Sequence, residues 1–96
     1  MKMSRAYKLE VETIGITEEQ LNKVLKEQFR WEGETYSCEV RTFFSGEGCL
    51  CGGQSEIDAH NEIYQALKQI NPNAKIKTEW TYLDQLPYEV YGDDIE

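Results

Sequence analysis

From residue 6 to residue 14 the side chains alternate, with Tyr7, Leu9, Val11 and Thr13 on one side and Lys8, Glu10 and Glu12 on the other. Successive side chains of an extended chain point to opposite faces, so the pattern predicts a half-buried strand, ended by Gly15. The spacing then becomes helical. Leu21, Val24, Leu25 and Phe29 form one apolar stripe, which predicts a helix from Thr17 to about Arg30, with Gly33 beyond its end. Thr17 and Gln20 have the spacing of a capping box, and Ile16 and Leu21 that of a hydrophobic staple. Glu18 and Glu19 suit the positive end of the helix dipole.

Alternation returns over residues 35–44 and places Tyr36, Cys38, Val40, Thr42 and Phe44 on one face, with Ser37, Glu39, Arg41 and Phe43 on the other. Ser45-Gly46-Glu47-Gly48 reads as a hairpin turn, and Cys49-Leu50-Cys51 as a short return strand stopped by Gly52-Gly53. Ser55 caps a second helix, with Glu56 and Asp58 in its first turn. Ile57, Ala59, Ile63, Tyr64, Ala66, Leu67 and Ile70 share a broad apolar sector of it, and Asn71-Pro72-Asn73 ends it because proline cannot continue a helix. Residues 74–83 predict a further strand, with Ile76, Thr78, Trp80 and Tyr82 inward, and Tyr88 to Tyr91 add a short edge strand.

The order strand, helix, strand, strand, helix, strand predicts an α+β chain of ferredoxin-like βαββαβ type: one antiparallel sheet with two helices packed on one face and an extra edge strand at the C-terminal end. No linker or internal repeat divides residues 1–96, so one domain is expected, with 88–96 as a loosely attached acidic tail. This architecture hosts many unrelated functions, so function has to come from side chains.

Composition narrows the classes. With 40% hydrophobic and 11% aromatic residues the chain can build a core and is not a disordered one. No apolar run reaches the roughly 18 residues of a membrane span, and Met1 to Arg5 lead straight into the strand pattern without an apolar signal core. A soluble, cytoplasmic protein without membrane contact is expected. The net charge of −8 repels phosphate backbones and disfavours direct nucleic-acid binding. The charge is uneven: after Lys77 there is no basic residue, while Glu79, Asp84, Glu89, Asp93, Asp94 and Glu96 stand among Trp80, Tyr82, Tyr88 and Tyr91.

Cys38, Cys49, Cys51 and His60 offer the elements of a zinc set, with Cys49, Cys51 and His60 as the ligands if a metal is held. With a turn at 45–48, however, Cys38 would lie about 13 Å along the hairpin from Cys51, at roughly 3.3 Å per residue. The expectation is therefore of buried core thiols, a packed His60, and no cofactor. Thiol redox chemistry at Cys51, just before a helix N-terminus, is the competing reading. Gly46, Gly48, Gly52 and Gly53 lack the lysine that a phosphate loop requires and read as turn and stop glycines. Glu10, Glu12, Glu39 and Glu79 share the open sheet face with Lys8, Arg41, Lys75 and Lys77. Phe43 and Leu50 are expected side by side there as an exposed apolar spot.

No nucleophile, base and orienting group come together in the pattern, so the function expected is non-enzymatic. The first expectation is a small acidic interaction domain for a basic protein partner, of the kind that phage and mobile-element inhibitors use as nucleic-acid mimics. Its contact residues would be Phe43, Leu50, Glu79, Trp80, Tyr88, Glu89, Tyr91, Asp93 and Asp94. A cysteine-based metal or redox protein is the first alternative. A homodimeric ligand-binding module, pairing through an edge strand that holds Trp80, Thr81 and Tyr82, is the second.

Overall fold

Alternation at the N-terminus becomes strand β1, Ser4–Ile14, whose Tyr7, Leu9, Val11 and Thr13 are all buried. The structure is a computed structural model, and the residues it describes are 4–51, 55–82 and 89–93. Helix α1, Glu18–Asn22, starts as its capping residues predict: Gln20 N–H donates to the Thr17 hydroxyl, and Thr17 N–H donates to the Gln20 side chain. It then widens into a π-helical segment, Lys23–Gln28, in which Phe29 N–H reaches back to the Val24 carbonyl. Phe29 closes the segment, and Arg30 at φ 64 turns the chain out of it, close to the end expected at about Arg30. Leu21, Val24 and Leu25 are buried and Phe29 is partly so.

The strands that follow are β2, Glu32–Cys38, and β3, Arg41–Cys51, joined by the two-residue turn Glu39-Val40. This corrects the expected turn at Ser45–Gly48, which lies in the middle of β3. The reason is packing. Gly33 and Gly46 face each other across the hairpin, and a Cβ on either would meet the Phe44 ring at 2.9 or 2.7 Å. A Cβ on Gly48 would meet the Trp31 indole at 2.4 Å. These glycines clear space for two core aromatics instead of turning the chain. Moving the turn changes which β2 residues face inward: Tyr36 and Cys38 now share the outer face with Phe43 and Arg41, while Thr42, Phe44 and Leu50 point into the core. Val40, expected inward, sits in the turn and is exposed.

Helix α2, Glu56–Ile70, carries the predicted Ser55 cap and capping box with Asp58, and ends before Pro72. Its buried residues are Ala59, His60, Ile63 and Leu67. Ile57 and Ile70 are 50% and 40% exposed, so the buried stripe is narrower than the predicted sector. Strand β4, Lys75–Tyr82, buries Ile76, Thr78 and Trp80, and β5, Glu89–Gly92, pairs along its outer side.

Together these make a small α+β structure: one antiparallel five-stranded sheet in the order β2-β3-β1-β4-β5, with two helices. Both helices and the inward residues of the sheet belong to one hydrophobic cluster. The opposite face of the sheet is left open. β5 pairs with β4 from Lys77 to Trp80, so of the strand expected to self-pair Trp80 is already taken by Glu89, while Thr81 and Tyr82 lie beyond that pairing. Among the described residues no helix is long and apolar enough to cross a membrane.

Candidate functional site

Residues directly opposite on neighbouring strands share a face, so the register lays out the open side of the sheet row by row. One row runs Glu34, Ser45, Glu10, Glu79, Val90 across all five strands. The next, toward the Glu39-Val40 turn, runs Tyr36, Phe43, Glu12, Lys77. Beyond it stand Cys38, Arg41, Ile14 and Lys75. On the other side of the first row lie Glu32, Glu47, Lys8 and Thr81. The face is therefore polarised. Arg41, Lys75 and Lys77 gather at the turn end, and carboxylates predominate at the other, where Lys8 stands opposite Glu47. Strand alternation places all of the named charges on this one face, and only Glu39 departs from it, in the turn.

Neutralisation is uneven too. Glu12 has Arg41 at 3.0 Å, a half-buried ion pair, and Lys77 opposite it. Glu10 has Ser45 on one side and Glu79 on the other, and Glu32 is opposite Glu47. Like charges directly opposite on a sheet destabilise it by up to about 1 kcal/mol per pair. Beside the carboxylate row, Tyr36 and Phe43 stack with ring centroids 5.1 Å apart and planes 15° from parallel. Tyr36 is 51% exposed. Both rings, with Glu10, Glu12, Lys77 and Glu79, line a shallow depression of about 180 Å³.

The residues expected to form the contact surface do not come together. Phe43 and Glu79 are on the open face, but Leu50 is 2% exposed in the core and Trp80 is 1% exposed. Phe43 has Tyr36, not Leu50, as its apolar neighbour. Tyr91 faces the helices, 5.7 Å from the His60 ring. Asp93 is a latch: its carboxylate accepts from the Tyr64 hydroxyl at 3.1 Å and from Ile76 N–H at 3.1 Å, with Lys68 Nζ at 3.6 Å. Glu89 pairs through its backbone with Trp80, and its side chain, like Tyr88 and Asp94, lies outside the described residues. Tyr36, Glu34, Glu32, Glu47 and Glu10 share the open face with Phe43 and Glu79 and were not among the residues expected there as contacts. A turn placed at Glu39-Val40 would have put Tyr36 opposite Phe43 and exposed the signal.

The cysteine reading changes as well. Cys38 and Cys49 are exposed, not buried. Cys49 lies opposite Ala6 on the open face, whereas His60 is buried on the helix side, so these two cannot ligate one ion. Cys51 pairs with Ser4 through its backbone, and its side chain lies outside the described residues. Among the described residues no group of three His, Cys, Asp or Glu side chains is placed to hold a metal.

His60 instead closes a buried polar chain. Trp80 Nε1–H donates to the Thr78 hydroxyl at 2.8 Å, and that hydroxyl is 2.9 Å from His60 Nδ1. Burial lowers the His60 pKa below its usual 6.5, and the charge of Asp93 opposes this only in part. Burial alone would raise the Asp93 pKa, but the bonds from Ile76 N–H and Tyr64 and the Lys68 charge outweigh it and hold the carboxyl below its usual 3.8. The unfolded chain thus binds more protons than the folded one in both ranges. Stability is expected to be full above pH 6.5, to fall below it as His60 must charge, and to fall again below 3.8 as Asp93 is protonated. Melting midpoints of wild type and His60→Gln between pH 7.5 and 5 test the first step. The wild type should lose stability with acid and the variant much less; parallel curves would remove His60 as the cause.

Compared with protein-family models, with curated proteins and with solved structures, the chain matches none.

Proposed function

We propose that this protein is a non-enzymatic interaction domain that holds a basic protein partner on the open face of its sheet. One observation carries the reading. The row Glu34, Ser45, Glu10, Glu79 contains no cation and runs beside the stack of exposed Tyr36 on half-buried Phe43. Opposed carboxylates cost stability in the free protein, and a cation from a partner removes that cost while the rings supply a rigid apolar anchor. An acidic face of this kind also suits a groove built for nucleic acid, the inhibitor form of the same reading.

On architecture, we read the sheet as ferredoxin-like with β5 added at its edge. The order β2-β3-β1-β4 and the helices that follow β1 and β3 support this. Cys38 and Cys49, free and exposed among the described residues, suit a reducing, cytoplasmic setting.

Deca-lysine serves as a model partner. Its binding is expected to weaken steeply as salt rises and to weaken roughly tenfold in Glu10→Gln/Glu79→Gln, about 1.4 kcal/mol. The same double variant should unfold at a higher midpoint than wild type, because it removes a like-charge pair. Salt-independent binding, or equal binding by the variant, overturns the proposal.

A further inference from the structure

The sheet has two edges, and they differ. β5 is four residues long, whereas β2 offers seven residues paired on one side only, by β3, among the described residues. The β2–β3 register runs unbroken from Glu32 to Cys38, without a bulge, and β2 contains no proline or lysine. Bulges, prolines and charged side chains, lysine above all, are the usual guards of an open edge. The only charges on β2 are Glu32 and Glu34, which guard it against an acidic strand and not against a basic one. In a hairpin closed by two residues the pair flanking the turn exchanges backbone hydrogen bonds, and bonded and unbonded pairs then alternate. Cys38, Tyr36, Glu34 and Glu32 thus bond to β3, and Gly33, Thr35 and Ser37 turn their N–H and C=O groups outward.

The side chains beside that edge alternate in character. Glu32, Glu34 and Tyr36 stand on the open side and Gly33, Thr35 and Ser37 on the helix side. Lys26, Glu27 and Arg30 border Gly33, a mixed-charge rim. A strand added here meets carboxylates and an aromatic ring with one set of its side chains, and small residues beside a mixed-charge rim with the other.

We propose that the outer edge of β2 accepts an extended segment of a basic protein as a sixth strand, with lysine or arginine at alternate positions over Glu32, Glu34 and Tyr36 and small or apolar residues between them. This rests on the open-face reading above and specifies how the partner is held: backbone hydrogen bonds supply affinity and alternate side chains supply selectivity. The charge argues for a basic segment over a second copy of the chain. Two β2 strands side by side would add Glu32 and Glu34 to one face twice, between molecules of net charge −8.

The probe is a capped heptapeptide that alternates lysine with valine or threonine. Its control has the same composition with all lysines in one block. The alternating peptide should slow amide exchange at Gly33, Thr35 and Ser37 and bind roughly tenfold tighter than the block peptide. Thr35→Pro removes an outward donor at an edge position where proline is tolerated, and should abolish this binding. Should that variant fail to fold, the alternating peptide N-methylated at its β2-facing amides, tested on the wild-type protein, must fail to bind. Equal binding of both peptides overturns the proposal. So does perturbation of Phe43 and Glu79 without protection of β2, which leaves the open-face reading standing. Protection of the β2 amides without peptide, rising with protein concentration, assigns the edge to a second copy and also overturns it. Loss of deca-lysine binding in the earlier experiment fails the broader reading separately.

Discussion

Trp80→Ala is expected to lower the unfolding free energy by about 3–5 kcal/mol, the usual cost of truncating a large buried aromatic. Trp80 is 1% exposed at the centre of β4. Its indole meets Tyr7 edge-on at 6.0 Å and Trp31 at 5.5 Å, so it joins β1 to the segment that links the first helix to β2. Its Nε1–H also donates to Thr78, which lies against His60. Truncation removes two aromatic pairs, each worth about 0.5–1.5 kcal/mol beyond area burial, and opens a cavity that strands on both sides of β4 keep from collapsing. For a domain stable by roughly 5–15 kcal/mol this is a large share, and the melting midpoint should fall by about 4–8 °C per kcal/mol. Urea unfolding monitored by circular dichroism measures it. A loss below about 1 kcal/mol would return Trp80 to the surface role that its acidic, aromatic sequence context implied.

Gly46→Ala is expected to destabilise by about 2–3 kcal/mol through overpacking. The new methyl would lie 2.2 Å from the Glu32 carbonyl oxygen and 2.7 Å from Phe44 Cζ. The first of these is backbone held in the β2–β3 ladder, which cannot swing away. Phe44→Leu in the same chain would relieve the ring contact and leave the carbonyl contact, so it should not rescue. The sign of the effect discriminates two structures. In a surface turn, alanine for a glycine of ordinary φ is neutral or stabilising by about 0.4–1 kcal/mol, since it restrains the unfolded chain. A stabilised Gly46→Ala would restore the turn at 45–48 and with it the original hairpin.

That hairpin shows where local pattern stops being informative. Glycine is equally at home in a turn and in a strand that another group must approach closely, and the choice between them depends on Phe44 and Trp31 arriving from elsewhere. One misplaced turn moved Tyr36 to the wrong face, joined Phe43 to Leu50, and buried Cys38 and Cys49 that are in fact exposed. Half of the candidate surface was hidden by that single ambiguity. The charged half was legible, because Glu10, Glu12, Lys77 and Glu79 lie on strands whose alternation was read with the correct parity.

What the amino-acid sequence determined by itself is everything set within a few residues. The Thr17 and Ser55 capping boxes, the stop before Pro72, and the inward faces of β1 and β4 follow from hydrogen bonds and side-chain periods that act along one segment. Tertiary structure alone decided which acidic and aromatic residues meet one another. Asp93 and Trp80 are scaffold because α2 and the neighbouring strands bring Tyr64, Lys68, Tyr7 and Trp31 against them. Glu10 and Glu79, each legible as a surface residue, become a like-charge pair only because two strands distant in sequence set them side by side. Contacts between segments separated by dozens of residues leave no periodic trace in either segment, so only the assembled sheet discloses them.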